Sequence, residues 1–386
     1  MENRKQAVEL SDIFRGQQED FLTTQSLCMV QQKAYDAIVN CRTAALGGHI
    51  DRCDQCGYTR PAYNSCRNRH CPKCQFIKKA KWVDKLTANL PPVKHFHLVF
   101  TIPQCLNPIF CLNQKTAYDL LFKAVGNTLM KSAANPKFLG FEAGAVAILH
   151  TWGQTLIYHP HIHLIVPAGG LSTDHMEWIR APKKFFIPVK VLSGIFRGIL
   201  CRIIEQAVYN KQLALPDDVP DFNTIRQKCY LKNWVVYCEK PFASPENLIN
   251  YLGNYTHRVA ISSSRLQAYD NGKVSFSYKD NKDHGLTKTM SLDANEFIRR
   301  FMQHVLPEGF YKIRYFGFLA LRNFRDKLEL CFTLIEKCTF LPAFEGLTAL
   351  EVFRSITGID PVRCPKCKAG TMRPLPMGSE IVIQPG

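Results

Sequence analysis

Two Cys-x2-Cys knuckles, Cys53 with Cys56 and Cys71 with Cys74, stand 14 residues apart. A tetrahedral zinc ion needs four thiolate or imidazole ligands, and two such knuckles supply them where a loop is too short to build an apolar core. The spacing predicts a compact, metal-stapled module over residues 41–75. Cys41, His49, Cys66 and His70 surround the knuckles and raise the potential ligands to eight, the number for two tetrahedral ions. Buried free thiols would equally explain Cys41 and Cys66, and ordinary solvent-facing histidines His49 and His70. Near the other end, Cys364-Pro-Lys-Cys367 resembles half of a zinc ribbon with no second pair after it. Cys331, Cys338 or an N-terminal residue could complete it.

Sixteen cysteines in a small secreted domain would imply disulfides. Here Met1-Glu2-Asn3-Arg4-Lys5 lead into polar sequence with no apolar core behind them, so the expectation is metal ligation in a reducing cytoplasm. No run of 18 or more apolar residues reads as a membrane span, which argues against a membrane protein. Lys plus Arg number 49 against 32 Asp plus Glu, a net charge of +17, and an excess of that size implies a polyanionic partner, nucleic acid first. Between residues 60 and 85 there are eight Lys or Arg and one acid, Asp84. Arg67, Arg69, Lys73, Lys78, Lys79 and Lys81 are therefore the candidate phosphate contacts on the zinc platform, with a merely solvated face as the bland alternative.

The run Tyr158-His159-Pro160-His161-Ile162-His163-Leu164-Ile165-Val166 reads as a strand. Side chains alternate along a strand, so His161 and His163 share one face while Ile162, Leu164 and Val166 face the other. Pro160 cannot donate to a ladder, and regular pairing is expected from His161 onward. Such a pair can hold a divalent ion, although packed or surface histidines are the commoner use of that spacing. Further on, Ser244 at an N-cap, Pro245 and Glu246 open a helix whose apolar stripe is Leu248, Ile249 and Leu252. Tyr251 and Tyr255 fall beside that stripe, where a ring packs while its hydroxyl reaches outward.

Elsewhere, residues 11–39 read as helical. Residues 97–102 and 145–149 read as strands, 113–133 and 190–208 as helices, and 185–187 and 234–238 as further strands. The polar stretch 215–224 reads as a surface loop. Asp270-Asn271-Gly272 is a hairpin turn, with 259–262 and 274–278 as its expected arms. The fold class that follows is α+β: an antiparallel sheet flanked by helices, an N-terminal zinc-binding module and a mainly helical C-terminal region. The expected division is residues 1–90, 91–285 and 286–386.

Several motifs occur together in a fixed order: Leu46-Gly-Gly-His49, Asn64-Ser-Cys-Arg-Asn-Arg-His-Cys-Pro-Lys-Cys-Gln75, His97-Leu-Val-Phe-Thr-Ile-Pro103, His150-Thr-Trp-Gly-Gln154, His159-Pro-His-Ile-His163 and Tyr251-Leu-Gly-Asn-Tyr-Thr-His-Arg258. Phe297-Ile-Arg-Arg-Phe301 and Leu306-Pro-Glu-Gly-Phe310 follow. In this the chain resembles the rolling-circle insertion-sequence transposases of the HUH endonuclease superfamily, the two-tyrosine, IS91-like branch. The resemblance runs from about residue 10 to 370 and implies an HUH-type, palm-like sheet. It implies that His161 and His163 hold a catalytic Mg2+ or Mn2+ ion and that Tyr251 and Tyr255 are the nucleophiles. The third metal ligand stays open among Gln154, His150, His159 and His257, with Gln154 first. The implied partners are single-stranded DNA at transposon ends, target DNA and host replication factors; the implied chemistry is cleavage and rejoining through a 5′-phosphotyrosine. One or two structural zinc ions complete the expected cofactors. A plasmid replication initiator or relaxase would use the same chemistry, and a non-catalytic zinc-ribbon DNA-binding protein is the reading of a different class.

Overall fold

The computed structural model describes residues 8–181, 187–239, 242, 260–280, 283–338 and 341–375. Tyr251, Tyr255, His257, the helix expected to carry them and Phe185-Phe186 of an expected strand lie outside the described residues. The architecture is α+β, as expected.

Three short helices open the chain: α1 (Leu10–Gly16), α2 (Gln18–Thr24) and α3 (Met29–Asn40). The zinc module follows as a hairpin, β1 (Gly48–Cys53) and β2 (Thr59–Tyr63), and a basic helix α4 (Phe76–Asn89). The central region then runs β3 (His95–Thr101), α5 (Asn107–Leu112), α6 (Gln114–Ala134), β4 (Gly144–Trp152) and β5 (Tyr158–Pro167). A small pair, β6 (Gly169–Leu171) and β7 (Trp178–Arg180), precedes α7 (Val189–Tyr209), α8 (Phe222–Leu231) and β8 (Val236–Cys238). A three-stranded meander, β9 (Leu266–Asp270), β10 (Lys273–Asp280) and β11 (Leu286–Asp293), leads into α9 (Ala294–Met302) and β12 (Ile313–Gly317). Last come α10 (Phe324–Leu334), α11 (Ala349–Thr357) and β13 (Met372–Pro374).

The frame is a five-stranded sheet in the order β12-β4-β5-β3-β8, every neighbour antiparallel. The two-residue period of its strands sorts it into two faces. Phe96, Leu98 and Phe100, with Ile162, Leu164 and Val166, turn toward α6 and α7 and bury against Leu121, Phe122, Val125, Phe196 and Leu200. Val146, Ile148 and Ile165 point the other way, under Leu86, Phe318, Leu328 and Phe332. The face opposite the main core is therefore covered at one end and carries the histidines at the other.

A third apolar cluster joins the first helices to the meander and helix α9. Phe14, Phe21, Tyr35 and Ile38 from the first helices pack with Phe276, Phe297, Ile298 and Phe301. The C-terminal region is mainly helical, but its strands reach outward. Strand β12 pairs with β4 at the edge of the central sheet, and β13 pairs with β1 in the zinc module.

Some local readings differ from expectation. The turn at Asn271-Gly272 is present, both residues at positive φ (48° and 69°), but its first arm is Leu266–Asp270 and not 259–262. A two-residue turn fixes register, pairing Lys273 with Asp270, so the arm must run directly back from the turn. The expected loop 215–224 gives way at Asp221, whose carboxylate accepts the Thr224 amide at 3.0 Å and caps α8.

Phe196 sits edge-on to both Phe100 and Trp234, with ring centroids 5.1 Å away in each case. Phe196→Ala is expected to cost about 3–5 kcal/mol of stability. Thermal unfolding followed by circular dichroism would check this, with Phe196→Leu expected to lose clearly less.

Candidate active site and metal centres

Strand pairing assembles the central cluster. His150 on β4 lies directly opposite His161 on β5, and His163 follows two residues along the same face. One ring nitrogen from each of His150, His161 and His163 lies within 4.8 Å of the others, and the ring centroids of His150 and His163 are 4.2 Å apart. Pairing of β5 begins earlier than expected, at Tyr158 opposite Trp152, because a register shift between His150 and Trp152 accommodates Pro160.

The ring tautomers can be read from the hydrogen bonds. His161 Nδ1–H donates to the His159 carbonyl at 2.6 Å, which leaves the Nε2 lone pair available. His163 Nδ1 contacts His97 Nε2 at 2.8 Å, and His97 Nδ1 faces Glu239 Oε2 at 3.5 Å. One consistent assignment has His163 donating to His97 and His97 donating to Glu239, so that His163 also presents Nε2. Burial pushes the His161 imidazole down to about 4 and holds His150 and His163 well below the usual histidine range. All three are neutral near pH 7, the form that ligates a metal.

The cluster forms one wall of a cavity of about 310 Å³, which Gln154, His159, Ala260, Ser262 and Arg265 also line. The connection between β4 and β5 is held from outside: Arg300 Nη1 donates to the Thr155 carbonyl at 3.0 Å, and His304 Nε2 meets the Leu156 carbonyl at 3.0 Å. Arg265 donates to the carbonyls of Gln154 and Ser277. Gln154, the first-ranked third ligand, thus lies at the cavity wall, whereas the imidazole brought onto His161 and His163 is His150. Strand register explains the difference, since residue 150 is the direct partner of 161 and residue 154 lies past the end of β4.

The cysteines group differently from their order in sequence. Cys41, Cys66, Cys71 and Cys74 converge, with the Cys74 sulfur 3.5 Å from those of both Cys41 and Cys66. Cys53 and Cys56 instead meet Cys364 and Cys367. The two N-terminal knuckles therefore serve separate clusters, because β1 carries Cys53 away to pair with β13 at the far end of the chain. His49 and His70 join neither cluster. His49 pairs with Asp51 at 3.1 Å, and His70 Nε2 accepts the Leu306 amide at 3.1 Å, a buried link from the zinc module to the segment after α9.

Among the basic candidates Lys73 pairs with Glu9, Lys81 donates to the Leu347 carbonyl, and Lys79 and Arg69 are half-buried. Arg67 and Lys78 are exposed. His97 and Glu239 were missed as site residues. The signal for His97 was its even spacing from Val99 and Thr101 on a strand facing His161 and His163; nothing local marked Glu239.

Comparison with known proteins agrees with this picture. A family model described as "Transposase zinc-binding domain" matches residues 13–102, and one described as "Putative transposase" matches residues 144–327. The chain is similar to "Putative transposase y4qJ" of Sinorhizobium fredii, 43% identical over 94% of each chain. It is also similar to the transposase for insertion sequence element IS801 of Pseudomonas savastanoi pv. phaseolicola, 28% identical over 88% of this chain and 82% of the relative. The chain belongs to the IS91-like family of insertion-sequence transposases. No solved structure matches it. Members of this family are DNA-cleaving and strand-transferring enzymes, and the thiol clusters suit the structural zinc implied by its zinc-binding domain. Among the described residues no helix is long and apolar enough to cross a membrane.

His97 supports His163 from behind. If the three histidines hold Mn2+, as proposed below, His97→Phe is expected to weaken that binding by roughly 10- to 100-fold. Calorimetric titration at fixed pH would measure it, and Glu239→Gln should shift affinity in the same direction by less.

Proposed function

We propose that this transposase cuts and rejoins single-stranded DNA at the element's ends through a covalent 5′-phosphotyrosine link. The observation that carries the reading is the gathering of three neutral imidazoles at one end of a sheet face, open to a cavity. In this reading His150, His161 and His163 hold a Mg2+ or Mn2+ ion, which when bound polarises the scissile phosphate and offsets charge on the leaving 3′ oxygen. Imidazole donors favour manganese over magnesium, which prefers oxygen ligands. His97 and Glu239 fix the ring of His163, while Arg265 in the cavity wall favours the approach of a phosphate.

Tyr251 and Tyr255 are the proposed nucleophiles. Ala260, Ile261 and Ser262, which follow them in sequence, line the histidine cavity, and this supports the assignment. A tyrosine hydroxyl, with an unperturbed pKa near ~10, gives up its proton as its oxygen attacks phosphorus. The Oη–P bond forms as the P–O3′ bond breaks, and the released 3′ oxygen takes up a proton. One phosphodiester replaces another, so rejoining runs by the reverse attack without ATP. With two tyrosines, one holds the cleaved end while the other attacks a second strand.

Cys41, Cys66, Cys71 and Cys74 hold the zinc of the N-terminal module, beside which exposed Arg67 and Lys78 are the foremost phosphate contacts. The chain divides functionally into a zinc module through about residue 90, the nuclease to about 285, and a C-terminal region that braces both.

The double variant Tyr251→Phe/Tyr255→Phe is expected to lose all covalent DNA attachment to terminal oligonucleotides in Mn2+ while zinc content and DNA binding persist. His161→Ala should likewise lose adduct formation. An adduct that survives in the double variant would refute the role of the tyrosines. Arg67→Ala and Lys78→Ala should each weaken binding similarly across sequences and flatten its salt dependence by about one charge.

A further inference from the structure

The second thiol cluster goes beyond the zinc-binding domain, whose match ends at residue 102, because half of its ligands come from residues 364 and 367. Cys53 and Cys367 sulfurs are 3.7 Å apart across 314 positions of sequence, and Cys56 and Cys364 sulfurs 3.7 Å apart across 308. Zinc–sulfur bonds of about 2.3 Å in a tetrahedron place their sulfurs about 3.8 Å apart, whereas a disulfide would need about 2.05 Å. The separations fit a metal.

The surroundings are shaped for thiolates. The Cys56 amide donates to Cys53 Sγ at 3.4 Å, and the Gly370 amide donates to Cys367 Sγ at 3.3 Å. A Cβ at Gly370 would lie 2.4 Å from Cys53 Sγ, so the second knuckle can close over the first only with glycine there. The fixed backbone around the site includes the Thr371 amide on Asp54 Oδ1 at 2.8 Å and Arg60 on the Pro361 carbonyl at 2.9 Å.

The contacts beside the cluster are slight. Strand β13 adds only three residue pairs to β1, and Val352, Cys364 and Met372 are the buried apolar side chains described in residues 341–375. A three-residue edge strand with so little apolar burial does not hold a chain segment by itself. We infer that Cys53, Cys56, Cys364 and Cys367 bind a second structural zinc ion that clasps the C-terminal arm, residues 341–375, onto the β1–β2 hairpin.

The arm also lies along α4. Its amides at Ala343 and Phe344 donate to Asp84 at 3.0 and 2.7 Å, and Phe353 meets Phe76 edge-on at 6.1 Å. The clasped arm thus spans from the β1–β2 hairpin to basic helix α4 and covers part of it.

The full-length protein tests this without reference to DNA cleavage. Elemental analysis should find two zinc ions per chain, and Cys364→Ser/Cys367→Ser should lose one of them and raise hydrogen exchange in β13 and the arm. In the unaltered protein, Cys53, Cys56, Cys364 and Cys367 should resist alkylation while exposed Cys28 reacts, and should become reactive together when zinc is chelated. One zinc ion per chain, or reaction of exposed Cys56 as fast as Cys28, would overturn the clasp. So would an intact mass lowered by the hydrogens lost to disulfides. A nicking-deficient protein that retains two zinc ions would leave the clasp standing and refute only the nuclease reading.

Discussion

Because β4 and β5 run antiparallel, His150 falls opposite His161, and the two-residue period then sets His163 on the same face. A slip of one residue in β5 would turn both of its histidines into the layer occupied by Phe100, Leu121 and Phe196, and turn Ile162 and Leu164 out toward the cavity. Burying unpartnered imidazoles there while exposing aliphatic side chains is costly on both counts. The apolar alternation that builds the core is thus what holds the register of the site. Ligands that share a sheet can be placed without the freedom of a loop.

The rest of the molecule braces that pairing. The connection between the histidine strands carries a non-glycine residue, Leu156, at positive φ (63°), a conformation that needs outside support. Support comes from His304 and Arg300, past the start of α9, and that helix is packed in turn against the first helices of the chain. His70 extends the link by accepting the Leu306 amide. The zinc module and the last third of the chain therefore both bear on the histidine cavity, although the three histidines themselves lie on β4 and β5.

What the sequence disclosed follows from the range of the forces involved. Strand alternation, the Asn271-Gly272 turn and the paired histidines are local and could be read directly. Cys53-x2-Cys56 announced a metal knuckle, but its partner lay more than 300 positions away, and spacing alone favoured the neighbouring knuckle. The third imidazole posed the same difficulty on a smaller scale: His150 was visible in a motif, but only the register of two strands distinguishes it from Gln154. Glu239 had no local mark at all, since its role comes from β8 pairing beside β3.

Charge shows the same limit of counting. The excess of +17 points to a polyanion, yet Lys73 and Lys81 near the zinc module are committed to Glu9 and to a carbonyl of the C-terminal arm. A cation already satisfied within the fold contributes to the field but releases few counterions when a phosphate arrives. At the cavity the histidines add no charge, because burial keeps them neutral, and under the proposed function this would suit a site that takes a cation first and a polyanion second. Protonated imidazoles would attract DNA but repel the metal. Neutral ones would accept it, and in the proposed reaction the positive charge that draws the phosphate would then reside where the bond is to be cut.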